Sequence, residues 1–190
     1  MELFDAIRQR RTIKDFRPDP PPVAVLEKAL DAGLWAQNHK MTEPWRFTLL
    51  GPETHRRLAE SFAGAQAAAL GAGADPARQA QVRADALGKL LGKPAVVAVS
   101  QRLEGGPAQR REDYAAVACA LQNVQLAAWA DGVGMQWSSG KIITQGATYA
   151  ALEIDPAQEE LVGLLFFGYP AHVPTAPARK PLKEVLRRLP

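Results

Sequence analysis

The chain has 190 residues, of which 47% are hydrophobic and 23% charged, and it contains a single cysteine. This length and composition are typical of one compact soluble domain, and they exclude an intramolecular disulfide or a cluster of thiolate metal ligands. The net charge is +3, with a sequence pI near 9.2. This mild positive excess suits a phosphate-bearing small molecule as well as nucleic acid, so it does not identify a partner by itself.

No segment predicts a membrane span, an export signal or a metal site. The longest apolar run, residues 161–169, is far shorter than the ~20 residues that a membrane-spanning helix needs. The opening stretch MELFDAIRQRR begins with an acidic residue rather than with the basic and then apolar pattern of a signal sequence, so we expect a cytoplasmic protein. The histidines are widely separated and give no metal-ligand spacing.

Apolar periodicity and turn residues predict interleaved helices and strands along the chain. Leu3, Phe4 and Ile7 lie at helical spacing in the first helix, and the proline cluster at 18–22 precedes a second helix, since proline is tolerated in a first helical turn. The predicted helices cover residues 2–10, 22–36, two segments of 53–92 that separate at 71–76, and 111–131. The predicted strands cover residues 45–50, 94–100, part of 132–144, and 161–169.

The helix predicted over residues 111–131 is apolar on nearly every side. Such a helix lies at the centre of a domain or in a subunit interface. Cys119 belongs to this apolar stretch and is expected to be a small buried side chain. The elements interleave without a repeat or a low-complexity linker, which favours one domain over residues 1–190 of the α+β or α/β class, with a C-terminal arm from about residue 170.

The sharpest local motif follows the first helix and reads Arg10-Arg11-Thr12-Ile13-Lys14-Asp15-Phe16. Arginine offers a rigid fork of donors that matches phosphate oxygens, and a neighbouring hydroxyl adds another hydrogen bond. Three cations and a threonine within this short stretch therefore predict a phosphate site. The alternative is a solvated helix end whose cations are favoured by the helix dipole, and chemistry alone favours that alternative.

Other nucleotide and hydrolase motifs fail on spacing. The segment GAGADP at residues 71–76 lacks the third glycine and the preceding strand of a dinucleotide-binding fold. The segment GKLLGKP at residues 88–94 has the wrong spacing for a P-loop. No G-x-S-x-G nucleophile elbow is present. The sequence therefore predicts neither a nucleotide-binding loop nor a serine hydrolase.

Four segments, in order along the chain, resemble the signatures of the FMN-dependent nitroreductase family. They are RRTIKDF at residues 10–16, AQNHKMTEPWRF at 36–47, GVGMQWSSG at 132–140 and RKPLKEV at 179–185. The Asn-His pair before Pro-Trp and the short length are most similar to a compact branch of NAD(P)H nitroreductases. Gln37 stands where the family has proline and Glu43 where it has glutamine, so the substrate preference is not carried over.

The resemblance implies an α+β fold with a mixed central sheet flanked by helices, and FMN as the cofactor. It implies Lys14 near the N1–O2 edge of the ring, where a positive charge stabilises reduced flavin, and backbone N–H groups of residues 138–140 at the N5–O4 edge. Trp137 is as compatible with core packing as with a cofactor contact. Arg10, Arg11, Thr12 and Arg179 are implied at the phosphate. The implied cofactor-binding residues are Arg10, Arg11, Thr12, Lys14, Trp35, His39, Trp137, Ser138, Ser139 and Arg179.

The implied reaction is ping-pong: NADH or NADPH donates a hydride to flavin N5, a nitroaromatic or quinone-type acceptor then takes it, and no side chain acts as a nucleophile. The resemblance also implies a homodimer whose FMN sites combine residues 10–14 of one chain with Trp35 and His39 of its partner. Another flavin reaction, such as reductive dehalogenation or enal reduction, is an alternative. A non-enzymatic module with basic ends that bind nucleic acid or acidic partners is another. On the family interpretation, neither nucleic acid nor a membrane is a partner.

Overall fold

The computed structural model describes residues 1–190 and contains one four-stranded sheet between two layers of helices. The helices are α1 (Leu3–Gln9), α2 (Val23–Leu34), α3 (Pro52–Ala68), α4 (Pro76–Leu91), α5 (Pro107–Ala130) and α6 (Gly146–Leu152). The strands are β1 (Trp45–Leu49), β2 (Ala95–Arg102), β3 (Gly134–Ser138) and β4 (Glu159–Gly168). Short 3₁₀ turns cover His39–Met41, Lys141–Thr144 and Leu182–Glu184. No helix is both long and apolar enough to cross a membrane.

The helix and strand predictions are confirmed, and their ends are set by local chemistry. Helix α5 begins at Pro107, ahead of the predicted residue 111, because proline fits the first helical turn after Gly106. Helix α4 begins after the break predicted at 71–76, where the Asp75 side chain accepts hydrogen bonds from the N–H groups of residues 77 and 78.

The strands lie in the order β1-β2-β4-β3, and every neighbouring pair is antiparallel. The α+β class is therefore confirmed. The resemblance implies a mixed sheet. The parallel pairing is limited to one bridge, between Thr12 and Met135 at the free edge of β3. This bridge brings the segment of residues 10–17 alongside the sheet.

The core lies on both faces of the sheet, because side chains alternate along a strand. One face, with Val97, Val99 and Leu165, packs against α2 and α5. The other, with Val96 and Leu164, packs against α3, α4 and α6. Strands β2 and β4 are thus covered on both faces, which explains their continuous apolar sequences.

Two glycines make room for the 10–17 segment at the end of the sheet. Gly134 of β3 and Gly168 of β4 are direct partners across the pair. A Cβ atom on Gly134 would lie 2.5 Å from Cγ1 of Ile13, and one on Gly168 would lie 2.7 Å from Cδ1 of Phe16. The missing side chains are therefore what allows Ile13, which is 1% exposed, to pack down onto the sheet.

We predict that Gly134→Ala lowers the free energy of unfolding by about 1–3 kcal/mol, because the β-branched Ile13 cannot move away without displacing its backbone. Urea denaturation at a fixed protein concentration measures this change. Gly64→Ala is the matched control: a Cβ there meets open space on α3, and the substitution is expected to add about 0.5–1 kcal/mol. Equal stability of Gly134→Ala and the wild type would contradict the packing argument.

Candidate active site

Three arginines gather where the 10–17 segment leaves α1. Arg10 Nη1 donates to Oε1 of Gln125 on α5 at 2.9 Å. Arg11 Nη1 donates to the carbonyls of residues 8 and 10, each at 2.8 Å. Burial lowers the pKa of Arg10, and the charges of Arg11 and Arg179 lower it further. Arg179, predicted from the C-terminal arm, therefore lies close enough to act on Arg10.

The arginine cluster, Arg10, Arg11 and Arg179, has no acidic partner. None of the ion pairs of the chain involves these residues. The Nε atoms of Arg10 and Arg11 are buried and have no hydrogen-bond acceptor. Buried donors are normally satisfied, so these two require an acceptor from outside the chain. The cluster has the chemistry of an anion site.

The 10–17 segment presents its polar side chains outward. The Ile13 N–H donates to the Met135 carbonyl at 3.1 Å, and the Arg17 N–H donates to the Tyr169 carbonyl at 2.8 Å. With Ile13 turned onto the sheet, Thr12 and Lys14 on either side of it remain exposed. The hydroxyl and the ammonium predicted to face a ligand are thus available to one.

A small cavity of about 110 Å³ lies on the α4 side of the sheet, near Lys14. Lys89, Lys93, Gln136 and Ser138 supply its polar lining. Lys93 is 9% exposed, and its Nζ donates to the Lys14 carbonyl at 2.8 Å. Burial lowers the pKa of Lys93; the nearby Asp15 raises it, and Lys89 and Lys14 lower it.

The end of β3 carries the predicted residues of the third motif. Ser138 is half-buried at the cavity, whereas Ser139 and Gly140 are exposed just beyond the strand. Trp137 points to the opposite face of the sheet, where its Nε1 donates to the Val162 carbonyl at 3.1 Å. Its indole packs over Gly163, which has no side chain to block it. The observed contacts of Trp137 are core contacts, and its contact with a cofactor stays a prediction.

Trp35 and His39 line two neighbouring grooves along α5 that share Gln37 and Cys119. Trp35, 84% exposed, lines a surface groove with Gln122 and Asn123 of α5. His39 lines a second groove with Glu112. Residues 112 and 125 are about 20 Å apart along α5, given its rise of about 1.5 Å per residue, so His39 and the Arg10 contact at residue 125 lie near different ends of the helix.

Cys119, predicted to be a small buried side chain, is half-buried. It packs against the core and also lines both grooves beside residues 35–39. Residues 38–43 form a strained turn in which Lys40, Met41 and Glu43 have φ angles of 55°, 55° and 43°. The buried Asp113 anchors this turn by accepting from the Thr42 hydroxyl at 2.7 Å.

No sequence pattern predicts a role for Lys93, Gln125, Gln136 or Asp113. The nearest signal was the segment GKLLGKP, which fails as a P-loop. Its two lysines are four residues apart at the end of a helix and before a buried strand, and that spacing places both on one side of the chain. No group of histidine, cysteine and acidic side chains that could hold a metal ion is present.

Comparison with known proteins agrees with this architecture. A Bacillus subtilis protein named "Putative NAD(P)H nitroreductase YfhC" is 33% identical over 186 residues, covering 96% of this chain and 91% of that protein. The crystal structure of a nitroreductase-like family protein from Bacillus cereus has a TM-score of 0.86 at 26% identity, covering 100% of this chain and 96% of that one. A Desulfovibrio desulfuricans structure, described as a "putative nitroreductase in complex with fmn", has a TM-score of 0.73 at 26% identity and covers 100% and 98%.

The family model described as "Nitroreductase family" matches residues 7–169, from within α1 to just beyond β4. This range contains the first three of the four motifs and all four strands. The resemblance on which the site residues were predicted is therefore confirmed at the level of the family. The chain belongs to the nitroreductase family.

Proposed function

We propose that the protein is a homodimeric FMN-dependent oxidoreductase that takes electrons from NADH or NADPH and reduces nitroaromatic or quinone-type acceptors. The observation that carries the proposal is the arginine cluster, which collects three cations without an acid beside the exposed Thr12 and Lys14. The description of the Desulfovibrio desulfuricans relative as a complex with FMN supports the cofactor. The name of the Bacillus subtilis relative supports a nicotinamide donor.

The arginine cluster fits the phosphate of FMN. A phosphate offers oxygen acceptors to the two buried Nε atoms of Arg10 and Arg11, which have none within the chain. It also favours the charged form of Arg10, whose pKa is lowered by burial and then by the charges of Arg11 and Arg179. A neutral ligand would satisfy the donors but not the charge, so the fit favours a dianionic group.

FMN, when bound, supplies the two-electron chemistry between NAD(P)H and the acceptor. The arginine cluster holds the phosphate, and Thr12 adds its hydroxyl. Lys14 would supply positive charge beside the N1–O2 edge of the ring, and the backbone N–H groups of residues 138–140 would bind its N5–O4 edge. The protein thus binds and orients the cofactor and supplies charge, without a nucleophilic side chain.

The homodimer is proposed because one chain leaves half of the predicted site exposed. Trp35 is 84% exposed, and the apolar side of α1 is open, with Leu3 62% and Phe4 68% exposed. Residues 171–190 of the arm are exposed throughout, including Leu182, Val185 and Leu189. A second chain that covers these apolar groups would bury them and bring its own Trp35 and His39 to the arginine cluster.

The acceptor and the cellular location remain predictions. Glu43 and Gln37, at positions where the family differs, lie in or beside the strained turn next to His39, so another flavin reaction on this fold stays an alternative. A screen of nitroaromatic, quinone, haloaromatic and enal acceptors with each nicotinamide separates these reactions. A yellow purified protein with flavin absorption supports the enzyme, and a colourless one supports a non-enzymatic basic module.

We propose a cytoplasmic location, as the N-terminal sequence predicts.

We predict that Arg10→Ala weakens FMN binding by about 1.5–3 kcal/mol, the value of a charge-assisted hydrogen bond lost with its donor. Fluorescence titration of the apo-protein with FMN and with riboflavin measures the effect. The affinity for riboflavin, which lacks the phosphate, is expected to change little. Arg78→Ala, at an exposed position of α4, is the control and should leave both affinities unchanged. An equal loss for FMN and riboflavin would show that Arg10 does not bind the phosphate.

We predict that Lys14→Met lowers the midpoint potential of bound FMN, because the reduced cofactor loses a cation that offsets its negative charge. The interaction amounts to about 1–4 kcal/mol, depending on the effective dielectric. Reduction against a reference dye measures the potential. Lys28→Met, which removes an exposed lysine paired with Asp131, is the control. A Lys14→Met protein that binds FMN at the wild-type potential would place Lys14 away from the ring.

We predict that two defective chains restore each other when they are mixed. Arg10→Ala removes a ligand from one half of the site, and a Trp35→Ala, His39→Ala double variant removes the other half. In a twofold heterodimer one of the two sites then receives a complete set of ligands. Titration with FMN and turnover measurements are expected to show about half of the wild-type sites. No recovery, despite heterodimers detected by native mass spectrometry, would mean that each chain builds its own site.

A further inference from the structure

Lys93 is a buried ammonium group that forms no ion pair, although Asp15 lies near enough to raise its pKa. It lies between α4 and β2 and is 9% exposed. Its Nζ donates one hydrogen bond, to the Lys14 carbonyl at 2.8 Å, and lies 5.2 Å and 5.4 Å from the ring centres of Phe16 and Phe166. No ion pair of the chain includes it.

Stability alone gives no reason for a charge at this position. The cost of removing an ammonium from water exceeds the stabilisation from one carbonyl acceptor, two aromatic faces, the end of a helix and the nearby charge of Asp15, because burial is the largest influence on its pKa and lowers it. Methionine has a similar length and would fill the same space between Phe16 and Phe166 without that cost. A cation is therefore expected here only if it acts on something outside the chain's own packing.

The surroundings of Lys93 indicate what it acts on. The cavity that it lines also contains Lys89 from the preceding turn of α4, and Gln136 and Ser138 from β3. These groups bring two cations, an amide and a hydroxyl to one small space, and no carboxylate lines it. They can donate hydrogen bonds to a ligand edge made of carbonyl and nitrogen acceptors, and their positive charges favour an edge that becomes more negative on reduction. Lys93 also joins this space to the backbone of Lys14.

We propose that Lys93 is a positioning residue of the cofactor site, which fixes the backbone at Lys14 and adds a second, buried positive charge that favours reduced over oxidised FMN. The inference rests on the proposed function, because it needs FMN at the site. It assigns to Lys93 a role that differs from that of Lys14. Lys14 is exposed and free to move, whereas the charge of Lys93 is held in place by its hydrogen bond and by the two rings.

The test compares Lys93→Met with Lys93→Gln in the full-length holoprotein. Methionine removes both the charge and the hydrogen bond to residue 14, whereas glutamine removes the charge and keeps an N–H donor. Both variants are expected to lose at least tenfold more affinity for reduced than for oxidised FMN, which for a two-electron couple lowers the midpoint potential by about 30 mV. Affinity for oxidised FMN should fall further in Lys93→Met than in Lys93→Gln. Lys28→Met should match the wild type.

The outcomes separate this inference from the function on which it rests. If the wild type does not bind FMN, the proposed function fails first. If the wild type binds FMN and Lys93→Gln keeps its potential, the inference is wrong and the function stands. A drop of the same size in Lys28→Met would also overturn it, as a general effect of net charge. Thermal unfolding of the apo-proteins shows whether the variants fold. If only Lys93→Met is unfolded, the midpoint potential of Lys93→Gln tests the proposal. If both variants are unfolded, Lys93 serves stability and the proposal is refuted.

Discussion

The backbone hydrogen bonds that join the 10–17 segment to the ends of β3 and β4 are the contacts on which the candidate site depends. The Ile13 N–H binds the Met135 carbonyl and the Arg17 N–H binds the Tyr169 carbonyl. They form because Gly134 and Gly168 leave space for Ile13 and Phe16 above the sheet. Because those two apolar side chains point inward, the neighbouring cations, Arg10, Arg11 and Lys14, lie on the outer side of the segment, where they can face solvent or a ligand. A packing constraint in the sheet thereby determines where the charges lie.

Burial of unpaired cations distinguishes the site from ordinary charged surface. Most other cations of the chain are exposed to water, and a few pair with an acid, as Lys28 does with Asp131 and Arg57 with Glu153. At the arginine cluster and at Lys93 the cations contact carbonyls, an amide and aromatic rings and form no ion pair; Asp15 acts on Lys93 from beyond ion-pair distance. Like charges held together destabilise the free protein, and an anion that binds them restores the loss through linkage. Buried guanidinium Nε atoms without acceptors favour an anion site over a solvated helix end.

The sequence predicts the local part of this structure and misses the part made by distant residues. Helices and strands follow from periodicity within each segment, and residues 10–14 could be singled out because they are contiguous. The partnership of Lys93 with Lys14 joins residues 79 positions apart and depends on the order of the strands, which no local pattern contains. The face that Trp137 occupies depends on strand register, because a shift of one residue exchanges the two faces. Cys119 was misjudged for a related reason: an apolar helix does not reveal which side the rest of the chain covers.

The strained turn at residues 38–43 determines where His39, one of the predicted cofactor-binding residues, lies. Three non-glycine residues in the left-handed region each cost about 1–3 kcal/mol, and they persist only where neighbouring contacts hold them. Here the hydrogen bond from Thr42 to the buried Asp113 holds the turn. The strain does not direct His39 to the arginine cluster of its own chain, which contacts the other end of α5. It keeps His39 on an outer groove, a short distance along the chain from the exposed Trp35. A fixed, costly turn away from the arginine cluster of its own chain agrees with the proposed homodimer, in which this turn of one chain would face the FMN site of the other.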